Sequence, residues 1–238
     1  CSDLKDLNLC SEGYKVDNNN SPVIVWLGNS QLHAINQYRS GDETVAPQIH
    51  RLLKEYDFYT LTLSQPNASL QEHYLLFAYL LDQFPVKTLI LPIVFDDMRE
   101  DKIRLDIKSI LKDKNSFKKI NESVTGKRLI TRFNNKDLVG NESNILDETV
   151  QKNFENLIDE NLGTIWPLWN ERDALRGKLF GNLYLLRNSI FGIKATTTRK
   201  MIRERYVKNK IAYQDILNLA LENNVEVLVY IPPIRSDI

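Results

Sequence analysis

The stretch Val23-Ile24-Val25-Trp26-Leu27-Gly28-Asn29-Ser30, continued by Gln31-Leu32-His33-Ala34-Ile35-Asn36-Gln37, decides how this chain folds. Apolar residues bounded by a glycine read as a buried strand, and the polar, helix-compatible segment that follows puts Ser30 where a strand edge meets a helix N-terminus. Open α/β sheets bind ligands outside the carboxyl ends of their strands, where helix N-termini present N–H groups and the positive end of the helix dipole. Ser30 in such a place suits a nucleophile or an anion contact. The same residues also serve a plain structural purpose, with Gly28 turning the chain and Ser30 capping a helix.

Outward from this stretch, the pattern repeats. Asp42 to Tyr56 reads as a helix capped by Asp42, with Val45, Ile49, Leu52, Leu53 and Tyr56 at three- and four-residue steps. His50 falls at its surface or edge. Asp57 to Leu63 is a second strand, rich in β-branched and aromatic residues, and Ser64-Gln65-Pro66-Asn67 ends it. Ser69 caps a buried helix over Leu70 to Gln83, and Val86 to Phe95 is a third strand whose continuous hydrophobicity suits a central parallel position, ending near Pro92. A further helix is expected from Arg99 to Lys112, irregular chain from Asn115 to Asn144, and a helix from Glu148 to Leu162. Trp166 and Trp169, the apolar Leu179 to Ile193 and the basic stretch Lys194 to Lys210 complete an insertion, at about 115–210, that a bare sheet-and-helix domain does not need. Its basic residues read chiefly as a solvated helix face. Ile211 to Asn223 is again an amphipathic helix, and Val225 to Ile231 a strongly β-prone, buried strand. The expected fold is α/β: a doubly wound, mostly parallel sheet with right-handed crossovers and a helical insertion.

Composition sets limits on function. The chain has 238 residues, 42% of them hydrophobic, and its 31 Lys plus Arg balance 31 Asp plus Glu. That supports one substantial domain over 22–238, preceded by a leader or linker over 1–21 whose residues 11–21 read as loop. A neutral balance gives no electrostatic footprint for nucleic acid, and no apolar run is long enough to span a membrane. Cys1 and Cys10 lie in a polar leader at a spacing that permits a disulfide and makes a poor zinc site. A chain opening on cysteine therefore points to an extracytoplasmic location, periplasmic or at the cell surface, with a membrane anchor outside the sequence. The end of the sequence, Pro232 to Ile238, follows a core strand directly, so further chain is expected beyond it. No cofactor and no metal are expected.

With Gly28-Asn29-Ser30 after the first strand, Ser64-Gln65-Pro66-Asn67-Ala68-Ser69 after the second and a polar loop after the third, the layout resembles the SGNH, or GDSL, hydrolase superfamily over about half the chain. The resemblance implies a flavodoxin-like sheet with Ser30 as nucleophile and Asn29 in place of the family's aspartate. Gly28 and Asn67 fall near the expected oxyanion donors. Where the family's third block carries asparagine, this sequence has Phe95-Asp96-Asp97, which makes Asn29, Asp96 and Asp97 a candidate polar site. The family's terminal Asp-x-x-His is not found: the histidines are His33, His50 and His73, so no general base is identifiable. Tyr230-Ile231-Pro232-Pro233 is similar to the last strand of bacterial relatives that modify surface glycans. The implied activity is that of a serine esterase or O-acyltransferase acting on acyl groups of a surface polysaccharide. Its expected partners are a glycan or acylated small molecule and a membrane-embedded protein. Acyl transfer needs an activated hydroxyl and donors aimed at the developing oxyanion. Two other classes compete: a Mg²⁺-dependent phosphoryl-transfer domain using Asp96, Asp97 and Asp101, and a non-catalytic accessory protein of the same fold.

Overall fold

A computed structural model describes residues 7–18, 21–29, 32, 43–95, 97–134, 182–183, 186, 189–190, 192 and 201–231. The chain divides into two compact units, Cys1–Thr131 with Lys200–Ile234, and Arg132–Arg199 with Arg235–Ile238.

The first unit holds the sheet. Strands β1 (Val23–Gly28), β2 (Tyr59–Ser64), β3 (Val86–Pro92) and β4 (Glu226–Tyr230) are all parallel and lie in the order β2-β1-β3-β4. The fold is α/β with a parallel sheet, as the alternation of apolar runs and helical periods implies. β1 and β3 occupy the middle; Val23, Val25, Leu27, Leu89 and Leu91 are completely buried. Each such side chain contributes about 1.5–3 kcal/mol on leaving water. The connections from β1 and from β3 leave in opposite directions, towards β2 and β4, so the gap between β1 and β3 is the sheet's switch point.

Helix α1 (Leu7–Asn18) replaces the loop expected over 11–21. Tertiary packing overrides its turn-forming residues: buried Tyr14 meets Tyr59 and Phe84 edge-on at 5.1 and 5.7 Å and donates to the Ser21 carbonyl. Cys10 lies on α1, whereas Cys1 and the expected pairing lie outside the described residues. Helix α2 (Val45–Lys54) begins after Thr44; the expected cap, Asp42, is outside the described residues. Helix α3 (Leu70–Gln83) has the expected bounds, with a reciprocal capping box between Ser69 and Glu72.

The chain after β3 differs from expectation. In place of one helix over 99–112 there is a 3₁₀ turn, Asp97–Arg99, an extended passage, the short helix α4 (Leu105–Lys108) and a second 3₁₀ turn, Ser109–Lys112. In place of irregular chain from 115 come α5 (Lys114–Glu122) and α6 (Val124–Asn134). Their starts are fixed by side chains: Asp113 caps α5 through the Ser116 N–H, while Ser123 receives the Gly126 N–H at 2.8 Å. A remote carboxylate, Asp215, takes the Thr125 N–H at 2.7 Å. Both helices are polar overall, and their caps with one narrow apolar face suffice to form them.

Helix α7 (Arg203–Glu222) begins eight residues before the expected Ile211, inside the basic stretch, where Arg203, Arg205 and Lys210 are indeed solvated. β4 is not the buried strand its sequence suggested: Leu228 and Val229 are exposed, because β4 is the outer strand of the sheet among the described residues. No described helix is long and apolar enough to cross a membrane. In the second unit, most of the insertion is outside the described residues, including Glu148 to Leu162 and both tryptophans; Leu183, Leu186 and Ile190 are exposed on helical turns.

Candidate functional site at the carboxyl end of the sheet

β1 runs apolar until Gly28, where a side chain has no room: a Cβ there would meet Leu32 Cδ1 at 2.2 Å. The Leu32 N–H returns to the Asn29 carbonyl at 3.1 Å, a bond between the residues flanking Ser30-Gln31. Ser30 itself is outside the described residues, as are His33 and Asp96.

Asn29 is buried at the switch point, and its Nδ2 donates to Asp97 Oδ2 at 2.8 Å. Asp97 opens the 3₁₀ turn that leaves β3, so this charge-assisted bond ties the loops after the two central strands together. On the other side of β1, Gln65 N–H donates to the Gly28 carbonyl at 3.0 Å, joining the loop after β2 to the same point. In that loop Asn67 is exposed and adopts a left-handed φ of 53°, which asparagine tolerates better than most residues. The structure thus brings Gly28, Asn29 and Asp97 together, with the Asn67 turn attached. Asp101 turns elsewhere, receiving Gln71 Nε2 at 3.0 Å and Lys208 Nζ at 3.1 Å. Among the described residues no group of three His, Cys, Asp or Glu could hold a metal ion.

His50 belongs to another part of the molecule: its Nδ1 lies 3.2 Å from the Thr60 carbonyl on β2, and its ring stands edge-on to Tyr59. His73, by contrast, is on the second turn of α3, fully buried against the Gly28 backbone. Among the described residues neither ring nitrogen makes a hydrogen bond of good geometry, the Gly28 carbonyl being the acceptor that favours the charged ring. Burial pulls its pKa down to about 4, and the nearby Arg104 charge works in the same direction while the Gly28 carbonyl opposes it. His73 is therefore a neutral ring beneath the turn, and among the described residues no carboxylate orients it as a base.

Sequence patterning did not reveal the polar framework behind the site. Glu72, completely buried, accepts the Arg104 N–H at 2.8 Å and pairs with the Arg104 guanidinium, which also donates to the Pro66 carbonyl. Desolvation pushes the Glu72 carboxyl up, with Arg104 and the Ser69 N–H opposing. Asn209, completely buried on α7, accepts the Leu70 N–H at 3.0 Å and donates to the carbonyls of Met98, Glu100 and Arg205. It fastens the loop after β3 to the N-terminus of α3. The signal in the sequence was the Ser69-x-x-Glu72 box; nothing local marks Asn209. No family model, curated protein or solved structure matches this chain.

Proposed function

We propose that this chain is an SGNH-like serine esterase or O-acyltransferase that acts outside the cytoplasm on acyl groups of a surface polysaccharide or glycan. Ser30 is the nucleophile, and the oxyanion is received by backbone N–H groups near Gly28 and at Asn67. The observation that carries this reading is the Asn29–Asp97 bond at the switch point, one residue before Ser30. The family's first block has aspartate and its third asparagine; here the positions hold Asn29 and Asp97, so an amide and a carboxylate are kept with their sides exchanged. The strand order β2-β1-β3-β4 agrees with the flavodoxin-like arrangement. In this reading the side-chain amide at the site is that of Asn29.

In the reaction, the Ser30 hydroxyl attacks the acyl carbonyl, its proton passing to a base, and the alcohol leaves with a proton; water or a sugar hydroxyl then takes the acyl group from Ser30. The test is mass spectrometry after exposure to a fluorophosphonate. One adduct on Ser30, absent in Ser30→Ala, is expected; a folded protein with no adduct refutes the assignment. One observation favours the accessory reading: among the described residues, the histidine beside the turn, His73, is buried, neutral and without a carboxylate partner.

A further inference from the structure

We infer that Arg104 is a positioning residue for the Pro66–Asn67 peptide and so sets the direction of the Asn67 N–H, a role that rests on reading Asn67 as an oxyanion donor. Gln65-Pro66-Asn67-Ala68 is a β-turn closed by the Ala68 N–H on the Gln65 carbonyl at 3.2 Å. Proline at the second position and a left-handed φ of 53° at the third are the marks of a type II turn. Types I and II differ chiefly by a flip of the central peptide, here the one joining Pro66 to Asn67. Because a trans peptide is planar, its carbonyl and its N–H point in opposite directions. Holding the Pro66 oxygen therefore aims the Asn67 N–H.

Arg104 holds that oxygen from outside the turn. One guanidinium nitrogen donates to the Pro66 carbonyl and the other to Glu72 Oε2, while the Arg104 backbone N–H fixes Glu72 Oε1 at 2.8 Å. Glu72 is itself held by the capping box at the start of α3, where it receives the Ser69 N–H. The planar fork of arginine reaches both acceptors at once, which a lysine cannot reproduce. The chain from helix start to carboxylate to guanidinium to carbonyl leaves the peptide one orientation. A second tie, Gln65 N–H to the Gly28 carbonyl at 3.0 Å, fixes the turn to the end of β1.

The experiment uses the full chain and two readouts: the Asn67 amide in ¹⁵N-correlated NMR spectra, and the rate of fluorophosphonate labelling at Ser30. The primary variant is Glu72→Gln with Arg104→Met. It removes both charges together and keeps a residue that completes the capping box. The expected result is a displaced Asn67 amide resonance with faster exchange, and labelling slowed about 100-fold, the loss typical of one oxyanion donor. Should this variant not fold, Arg104→Lys decides: it keeps a cation opposite Glu72 but has one nitrogen in place of the two that reach Glu72 and the Pro66 carbonyl, so both readouts must still move. An Asn67 amide and a labelling rate unchanged in a folded variant overturn the proposal. A wild-type chain that takes no label, yet whose Asn67 amide moves when Arg104 is replaced, refutes the esterase reading while upholding the role of Arg104.

Discussion

Acid should destabilise this protein through His73. The ring is 2% exposed, its nitrogens have no well-formed hydrogen bond among the described residues, and its folded-state pKa stands at about 4 against 6.5 for a free imidazole. Depression means that the unfolded chain binds a proton more readily than the folded one. The stability gained from a neutral His73 is accordingly complete above about pH 7 and is lost as pH falls from 6.5 towards 4. A displacement of that size corresponds to about 3 kcal/mol, most of it gone by pH 4.5. Glu72, on the same helix, acts with the opposite sign: its raised carboxyl favours the folded state as pH falls. The clean measurement is therefore a difference. Urea unfolding of the wild type and of His73→Leu, at half-unit steps from pH 7.5 to 4.5, should show the variant gaining about 2–3 kcal/mol on the wild type over that range. Parallel curves, or a His73 resonance titrating near pH 6.5 in the folded protein, would refute the reasoning.

Asn209→Ala should lower stability by about 3 kcal/mol in urea unfolding, since it leaves the Leu70 N–H and two loop carbonyls without their partner inside the protein. Gly126→Ala should be worse than Gly28→Ala in a thermal melt. A Cβ at 126 would lie 1.8 Å from the Ile120 backbone oxygen, whereas at 28 it meets the end of the Leu32 side chain, which can turn away for about 1–3 kcal/mol. Asn29→Asp places a second carboxylate against Asp97 and should lower the melting temperature at pH 7.5, with recovery towards pH 5. The double exchange Asn29→Asp with Asp97→Asn restores an amide–carboxylate pair and should melt near the wild type at both pH values. Failure of the exchange to recover stability would show that more than the pair fixes this point.

The parallel core was legible because its signal is local. Val23 to Leu27 and Leu89 to Leu91 are apolar runs, Tyr59 to Leu63 is β-branched and aromatic, and Leu70–Gln83 was readable because Ser69 caps its start and its apolar content marks it as buried. The helices after Asp113 were missed, since their starts depend on Asp113, Ser123 and a carboxylate ninety residues away, Asp215. β4 was read as buried for the opposite reason: an apolar composition says that a strand suits a sheet, but only its neighbours decide which faces are covered.

The same division holds at the site. From the sequence alone came Gly28-Asn29-Ser30 at a strand end and Asn67 and Asp97 at two others, because strand ends and turn residues are written in consecutive positions. That Asn29 bonds Asp97, that His73 lies buried behind Gly28, and that Arg104 spans from Glu72 to Pro66 depend on residues 32–68 positions apart in the chain. Such contacts carry no sequence period. They exist because a parallel sheet gathers the carboxyl ends of its strands on one edge, and a buried polar group must find its partner among whatever the fold brings there.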